Sequence, residues 1–489
     1  MAFYVYDISF LIIFCLAVGI FLYKKRANLK REGIMYLYRT QVGIKLINYV
    51  GNKYKKTISV FSFLAVISGY LLMLSMIYFL GDLIYIYVFK PEIVQAIKIP
   101  PIMPLVPYLP EAFKISFLPP FYFTYWIIAI AVIAVFHEFA HGIVAKRYDI
   151  KVKTTGFGFL GPFLAAFVEP DEEEMKKKPK YQQIAVLSAG TFTNLILAGI
   201  FFLILGLFFI AVYAPSGVIF NTYTPAVVNI SSIGIVGGIS ISNPTQSSII
   251  DLINKNQISN DLILGTNGNS INMTKIISGN KTYFSTIDDL KTQIDSKEVS
   301  DLVVLYPDFP AIEAGLRGVI IGINDEKIRD YGDLIEIIKK YKPGDKIKIT
   351  TKDKEDILEY NITLAEDPAQ KGRPIIGIGF VNARQGFFGK IFDFLNFFKK
   401  PQTDYEPKFN AEIIIFLYNL IWWLALINFS VALMNMLPVA IFDGGRMFML
   451  TIWKISKSEK FAQVVFKVIT YAILGCLLVL MWAWFKAMF

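Results

Sequence analysis

The sequence predicts a multi-span α-helical membrane protein with about six transmembrane helices and an inserted α+β domain outside the membrane. Three observations carry this. Hydrophobic residues make up 55% of the 489 residues and charged residues only 18%, with a mean hydropathy of +0.50, too apolar for a soluble chain of this size. Six stretches are long and apolar enough to cross a bilayer. Between the fourth and fifth, residues 214–412 are rich in Ile, Thr, Asn and Gly and alternate between short strand and helix patterns.

The spans read as Phe3–Tyr23, Ile58–Leu80, Phe121–Val144, Ile184–Tyr213, Ile413–Leu437 and Phe461–Phe485. Asp7 interrupts the first, making it the weakest. It has no Lys or Arg before it and no clear cleavage site, so it reads as a retained span. Tyr85–Phe89 extends the second span or forms an interfacial piece, and the Pro-rich stretch 100–120 reads as a loop or re-entrant segment. The chain divides into N-terminal spans and loops (1–120), a first membrane part (121–213), an aqueous region (214–385), an aromatic and basic linker (386–412) and a second membrane part (413–489).

Loop charge sets orientation. Lys24, Lys25, Arg26, Lys30, Arg31, Arg39, Lys45, Lys53, Lys55 and Lys56 face only Glu32 between the first two spans, which puts that loop in the cytoplasm. Alternation then places 214–412 outside and 145–183 and 438–460 inside, so the chain is a multi-pass cell-membrane protein surrounded by lipid. The net charge of +10 lies mostly in these short loops, which argues against nucleic acid as a partner. Cys15 and Cys476, the only cysteines, both fall in spans, leaving no disulfide framework and no Cys-type zinc site.

The chain has only two histidines, four residues apart in the third span: His137-Glu138-Phe139-Ala140-His141. A helix puts i and i+4 on one face, so both imidazoles can point at one spot. Two such nitrogens make half of a Zn²⁺ site, with Glu138 beside them within reach of a bound water. Polar clusters inside a span are costly and mark function by default. The motif lies near the cytoplasmic end of its span, so a third ligand must come from similar depth. Asp443, after the fifth span and beside Gly444-Gly445, meets that condition. Asn435 and Asn428 lie on much the same side of the fifth span, as substrate contacts or interhelical glue.

Residues 152–168 are Gly- and Phe-rich without helical period and read as a β-hairpin dipping into the bilayer beside the metal. Such backbone is tolerated there only when protein or a water-filled cavity satisfies it. Glu169–Lys178 reads as a solvated turn. In the aqueous region a weak repeat relates 261–271 with 288–290 to 318–328 with 332–334. Each copy reads as strand, tight turn, strand start and helix, and both are PDZ-like, either tandem or nested. A generic α+β sensor domain is the other reading. The linker's Phe387, Phe388, Phe392, Phe394, Phe397, Phe398, Lys399 and Lys400 suit a membrane surface.

These residues resemble the site-2 protease family of intramembrane zinc metalloproteases. The likeness rests on His137–His141 in a span, on Asn435-x-x-Pro438-x-x-x-x-Asp443-Gly444, on Asn194 within Ser188–Asn194, and on the inserted PDZ-like region. It covers roughly 120–215 and 300–450. It implies zinc held by His137, His141 and Asp443, with Glu138 as general base. It also implies substrate backbone held by Asn194 and Asn435. The family usually has Pro where Thr191 stands and Leu where Phe442 stands. The resemblance implies transmembrane protein substrates and regulated intramembrane proteolysis. The PDZ-like region would bind peptide C-termini or filter substrates by size. Two other function classes stay open: a CAAX-type membrane metalloprotease, which commonly takes a distal Glu as third ligand, and an inactive scaffold that binds peptides through its PDZ-like region.

Overall fold

The computed structural model describes residues 2–488 apart from 34, 91–93, 96–99, 114, 116–117, 161–162, 256–257, 267, 269, 296–300 and 381–395. Phe387, Phe388, Phe392 and Phe394 of the linker therefore lie outside the described residues. The chain forms two compact units, Met1–Phe208 with Glu412–Phe489, and Phe209–Ala411.

The first unit is helical. Its longer helices are α1 (Ala2–Lys25), α2 (Ile44–Lys53), α3 (Lys55–Phe89), α4 (Phe123–Arg147), α5 (Lys180–Val212, which runs on into the second unit), α6 (Ala411–Asn435), α7 (Asp443–Ser456) and α8 (Glu459–Met488). Among the described residues, all of these but α2 and α7 are long and apolar enough to cross a membrane, six in number. Near-continuous apolar sequence favours helix here because a helix satisfies its own backbone groups. α3 carries Tyr85–Phe89 as a continuation of the span. The core sits where α4, α5, α6, α7 and α3 meet, through Ala140, Val144, Ala185, Val186, Ala189, Ala432, Met436, Met447, Leu72 and Met73. Alanines on α4, α5 and α6 (Ala140, Ala185, Ala189 and Ala432) let the backbones approach closely there.

Asp7, which weakens the first span on paper, has a structural partner. It is 1% exposed and accepts the backbone N–H groups of Phe123 and Thr124 at 2.8 and 2.9 Å. Thr124 Oγ1 and the Tyr108 hydroxyl also donate to it. Glu111 Oε1 takes the N–H of Phe121 at 2.6 Å. The residue before α4, Tyr122, offers no cap of its own. Asp7 thus satisfies two orphan donors at the start of the histidine helix, and Glu111 holds the backbone just before its N-cap.

The hairpin expected at 152–168 is present as β3 (Val152–Leu160) and β4 (Phe163–Pro170), but it is half of a larger sheet. The loop after α1 supplies two more strands, Leu29–Glu32 (β1) and Met35–Thr40 (β2). All neighbours are antiparallel in the order β1-β2-β3-β4, so β4 is an edge. A Cβ on Gly156 would run into the Tyr38 carbonyl and the Phe167 ring, so β3 fits between its neighbours only with glycine there. The charged run after β4 is a short helix, Glu172–Lys177, and not an irregular turn. Asp171 caps it by accepting the N–H groups of Glu173 and Glu174 at 2.9 and 3.2 Å.

The second unit is sheet-rich. Among the described residues, one sheet has Val319–Ile323 between Lys346–Asp353 and Tyr213–Val218, with Asp356–Thr363 and Thr403–Pro407 outside them. The strands between Ala226 and Pro307 make a separate sheet around Ile233, Ile249, Ile276, Leu290 and Leu305. They lie in sequence between Tyr213–Val218 and Val319–Ile323, which pair with each other. The segment that carries the first copy is therefore inserted, in sequence, between two paired strands of the other sheet. Each copy holds its strand, turn and strand start, Asp261–Leu264 pairing with Ser270–Ser278 and Val319–Ile323 with Glu326–Lys327. The first copy inserts a further strand, Lys281–Ser285, before its helix Ile287–Asp295, whereas the helix Tyr331–Ile338 follows its strand directly.

Candidate metal centre

The i, i+4 spacing on α4 sets the two imidazoles edge to face, with ring centroids 4.6 Å apart. Both rings are buried, at 7% and 9% exposure, and their Nε2 atoms are 3.0 Å apart. Asp443 Oδ2 lies 3.4 Å from His137 Nε2 and 3.3 Å from His141 Nε2. Ligands about 2.0–2.1 Å from a tetrahedral zinc are about 3.3 Å from one another, so the three atoms have the spacing of a shared ion. Glu138 is close too: His137, Glu138 and His141 offer ligand atoms within 4.8 Å of one another and could hold a metal ion. Glu138 Oε2 is otherwise engaged, accepting the backbone N–H of Val168 on β4 at 2.9 Å.

Asp443 reaches this position through glycine. After α6 the chain folds back, and α7 starts at Asp443. A Cβ on Gly444 would strike the Met436 backbone, and one on Gly445 the Val439 backbone. Neither glycine has positive φ among the backbone outliers. The pair is needed for close backbone packing.

α5 backs the two rings. His141 Nδ1 lies 2.7 Å from the Val186 carbonyl oxygen. His137 Nδ1 lies 3.0 Å from Asn194 Nδ2. Gly190 sits between these two residues on the helix, and a Cβ there would fall 2.5 Å from His141 Nε2 and 2.7 Å from His137 ring carbons. The sequence reading assigned Gly190 no role. The signal was the run Ser188-Ala189-Gly190 in an otherwise bulky span. Gly142 was also missed. It lies four residues after Glu138, and a Cβ there would meet Ile47 and Val168 at 3.0 Å. Its absence lets β4 close on the same helix face that carries Glu138.

Of the two candidate asparagines, Asn194 is fully buried against His137. Asn435 is the half-buried last residue of α6, and no hydrogen bond joins it to the histidines or Asp443 among the described residues. Asn428 donates to the Leu424 carbonyl of its own helix at 2.7 Å.

Apolar spans that enclose two imidazoles and a carboxylate define a class, the membrane proteins whose helical unit holds a cluster able to bind a metal ion. Residues 125–480 match the model of Peptidase family M50. The chain belongs to that family, the site-2 protease family. It is also 33% identical over 198 residues to an uncharacterized protein of Methanocaldococcus jannaschii, a stretch of 38% of this chain and 48% of that protein. The chain thus spans about half the length of the curated relative it matches.

Proposed function

We propose that the chain is an intramembrane zinc metalloprotease that hydrolyses peptide bonds of transmembrane substrates. The observation that carries this reading is the triangle of His137 Nε2, His141 Nε2 and Asp443 Oδ2, with sides of 3.0, 3.3 and 3.4 Å. Zinc held by these three residues supplies a Lewis acid that brings a water's pKa to about 7 and polarises a peptide carbonyl. Glu138 takes the proton of the attacking water and passes it to the leaving amine. His137 and His141, buried and held by α5, keep the donor atoms aimed at one point. The loop charges put this site toward the cytoplasmic side.

A helical substrate satisfies its own backbone and must unwind to be cut. Among the described residues β4 pairs with no strand but β3, and its other edge is suited to receive the unwound strand. Val168 N–H points away from β3 toward Glu138, and by the two-residue alternation of a strand the N–H groups of Leu164 and Ala166 share that side. A strand paired there runs alongside Glu138.

The sheet-rich unit is read as the extracytoplasmic PDZ-like domain. It has a cleft of about 430 Å³ beside the helix Tyr331–Ile338, with Phe309, Ile335 and Ile376 as apolar walls and Lys339 and Arg373 at its margin. An apolar groove lined also by cations suits a peptide C-terminus, with Arg373 contacting Asp367, which lines it too, at 3.5 Å.

The test is Glu138→Gln in full-length protein against a synthetic transmembrane peptide, with zinc content measured in parallel. Zinc retained and cleavage lost supports the reading. Undiminished cleavage removes Glu138 from the role of base.

A further inference from the structure

We propose that Asn194 is a positioning residue for His137: its side-chain oxygen accepts the Nδ1–H of that ring and keeps the Nε2 lone pair aimed at the metal. The inference deepens the metal-site reading above and rests on it.

The two histidines are held differently. His141 Nδ1 faces the Val186 carbonyl oxygen at 2.7 Å. A carbonyl can only accept, so Nδ1 carries the ring proton and Nε2 presents its lone pair. In His137 the inward atom is again Nε2, 3.0 Å from its counterpart and 3.4 Å from Asp443. A neutral ring that offers a lone pair at Nε2 carries its proton at Nδ1. The group that meets Nδ1 is the Asn194 amide, at 3.0 Å from Nδ2. In that orientation two donors face each other, while Asn194 Oδ1 is buried without a partner.

A half-turn of the amide exchanges oxygen and nitrogen in nearly the same volume. It gives Oδ1 the donor it lacks and gives Nδ1–H an acceptor. The displaced NH₂ group then needs a partner. Thr191 Oγ1, three residues earlier and so on the same helix face, is another buried oxygen with none.

This assignment differs from the substrate contact that the family resemblance implies. Asn194 has 0% of its surface exposed. Its amide is occupied by His137 and offers no open face to a peptide. A ligand histidine whose second nitrogen has a fixed acceptor is a better base and is locked in orientation, and loss of such an acceptor typically lowers metal affinity about 10- to 100-fold.

The experiment measures zinc affinity by chelator competition in full-length wild type, Asn194→Ala and Asn194→Asp, with kcat and KM on a transmembrane peptide. Asn194→Ala is expected to bind zinc about 10- to 100-fold more weakly. Asn194→Asp, whose carboxylate also accepts from Nδ1–H, is expected to restore affinity to near wild type. Wild-type zinc affinity in Asn194→Ala, with only KM raised, would overturn the assignment in favour of a substrate contact. Equal loss in both variants would overturn it as well, since an acceptor would then not matter. Absence of zinc from wild type would overturn both this inference and the proposed function, and the wild-type control separates that outcome from the others.

Discussion

Glu138 Oε2 accepts the backbone N–H of Val168 at 2.9 Å, so the carboxylate beside the histidines is tied to the edge strand of a sheet. In the proposed function, chemistry and strand pairing would share this one hydrogen bond. A strand that pairs with β4 passes next to the group that would move the proton.

Glu138→Gln keeps the size of the side chain and the bond to Val168 but removes the base. It is expected to lower kcat by at least about 10²- to 10⁴-fold with zinc content unchanged, as measured by peptide cleavage and metal analysis on the same preparation.

Ala166→Pro removes an N–H that alternation places on the open side of β4, where proline breaks no bond to β3. Zinc is expected to stay bound and cleavage to fall through a raised KM. A variant that cleaves with wild-type KM would rule out strand pairing along β4.

Gly190→Ala places a methyl 2.5 Å from His141 Nε2. The rings must shift to make room. A misplacement of about 1 Å at such a site costs about 10²-fold in rate, and zinc affinity is expected to fall with it, read by chelator competition. Gly199, on the same helix with nothing within 4 Å of its would-be Cβ, is the control position for the same substitution.

Asp7→Ala leaves the N–H groups of Phe123 and Thr124 without their acceptor. A loss of roughly 1–3 kcal/mol in stability is expected from the unsatisfied donors, measured by thermal melting in detergent. Zinc affinity of the folded fraction should not change.

In the sheet-rich unit, Asp330 caps the helix Tyr331–Ile338 by accepting the N–H groups of Gly332 and Asp333 at 2.9 and 3.1 Å. The hydrogen bond from Lys400, and then that from Asp333, hold its carboxyl below the ordinary range. A depressed carboxylate contributes stability above its unfolded value near 3.9, and loses it as pH falls through the lower folded value. Amide exchange at Gly332 and Asp333, corrected for intrinsic rates, is expected to rise in that acidic window. Asp330→Ala should raise it at neutral pH, with a cost of about 1 kcal/mol.

The spans were legible because a membrane-length apolar helix is written in composition alone, and the His137–His141 pair because its spacing matches one helical turn. Depth in the membrane pointed to Asp443 as a candidate third ligand, and the structure sets its carboxylate 3.4 and 3.3 Å from the two imidazoles. β1 and β2 were not legible: Leu29–Glu32 and Met35–Thr40 are short, charged and without clean alternation, and they form strands only because β3 offers an edge. Asp7 reads as a flaw in a span, because the backbone donors it serves lie in α4, far away in sequence. Gly190 and Gly142 act by absence, and a missing Cβ has meaning only when the neighbour it would strike is known.

The most direct measurement is a zinc-edge anomalous diffraction map of the full-length protein with Asp443→Ala as comparison. The account expects one zinc peak about 2 Å from His137 Nε2, His141 Nε2 and an Asp443 carboxylate oxygen, and loss or marked weakening of that peak in the variant. A peak bonded to the histidines but not to Asp443, or full occupancy in the variant, would contradict it.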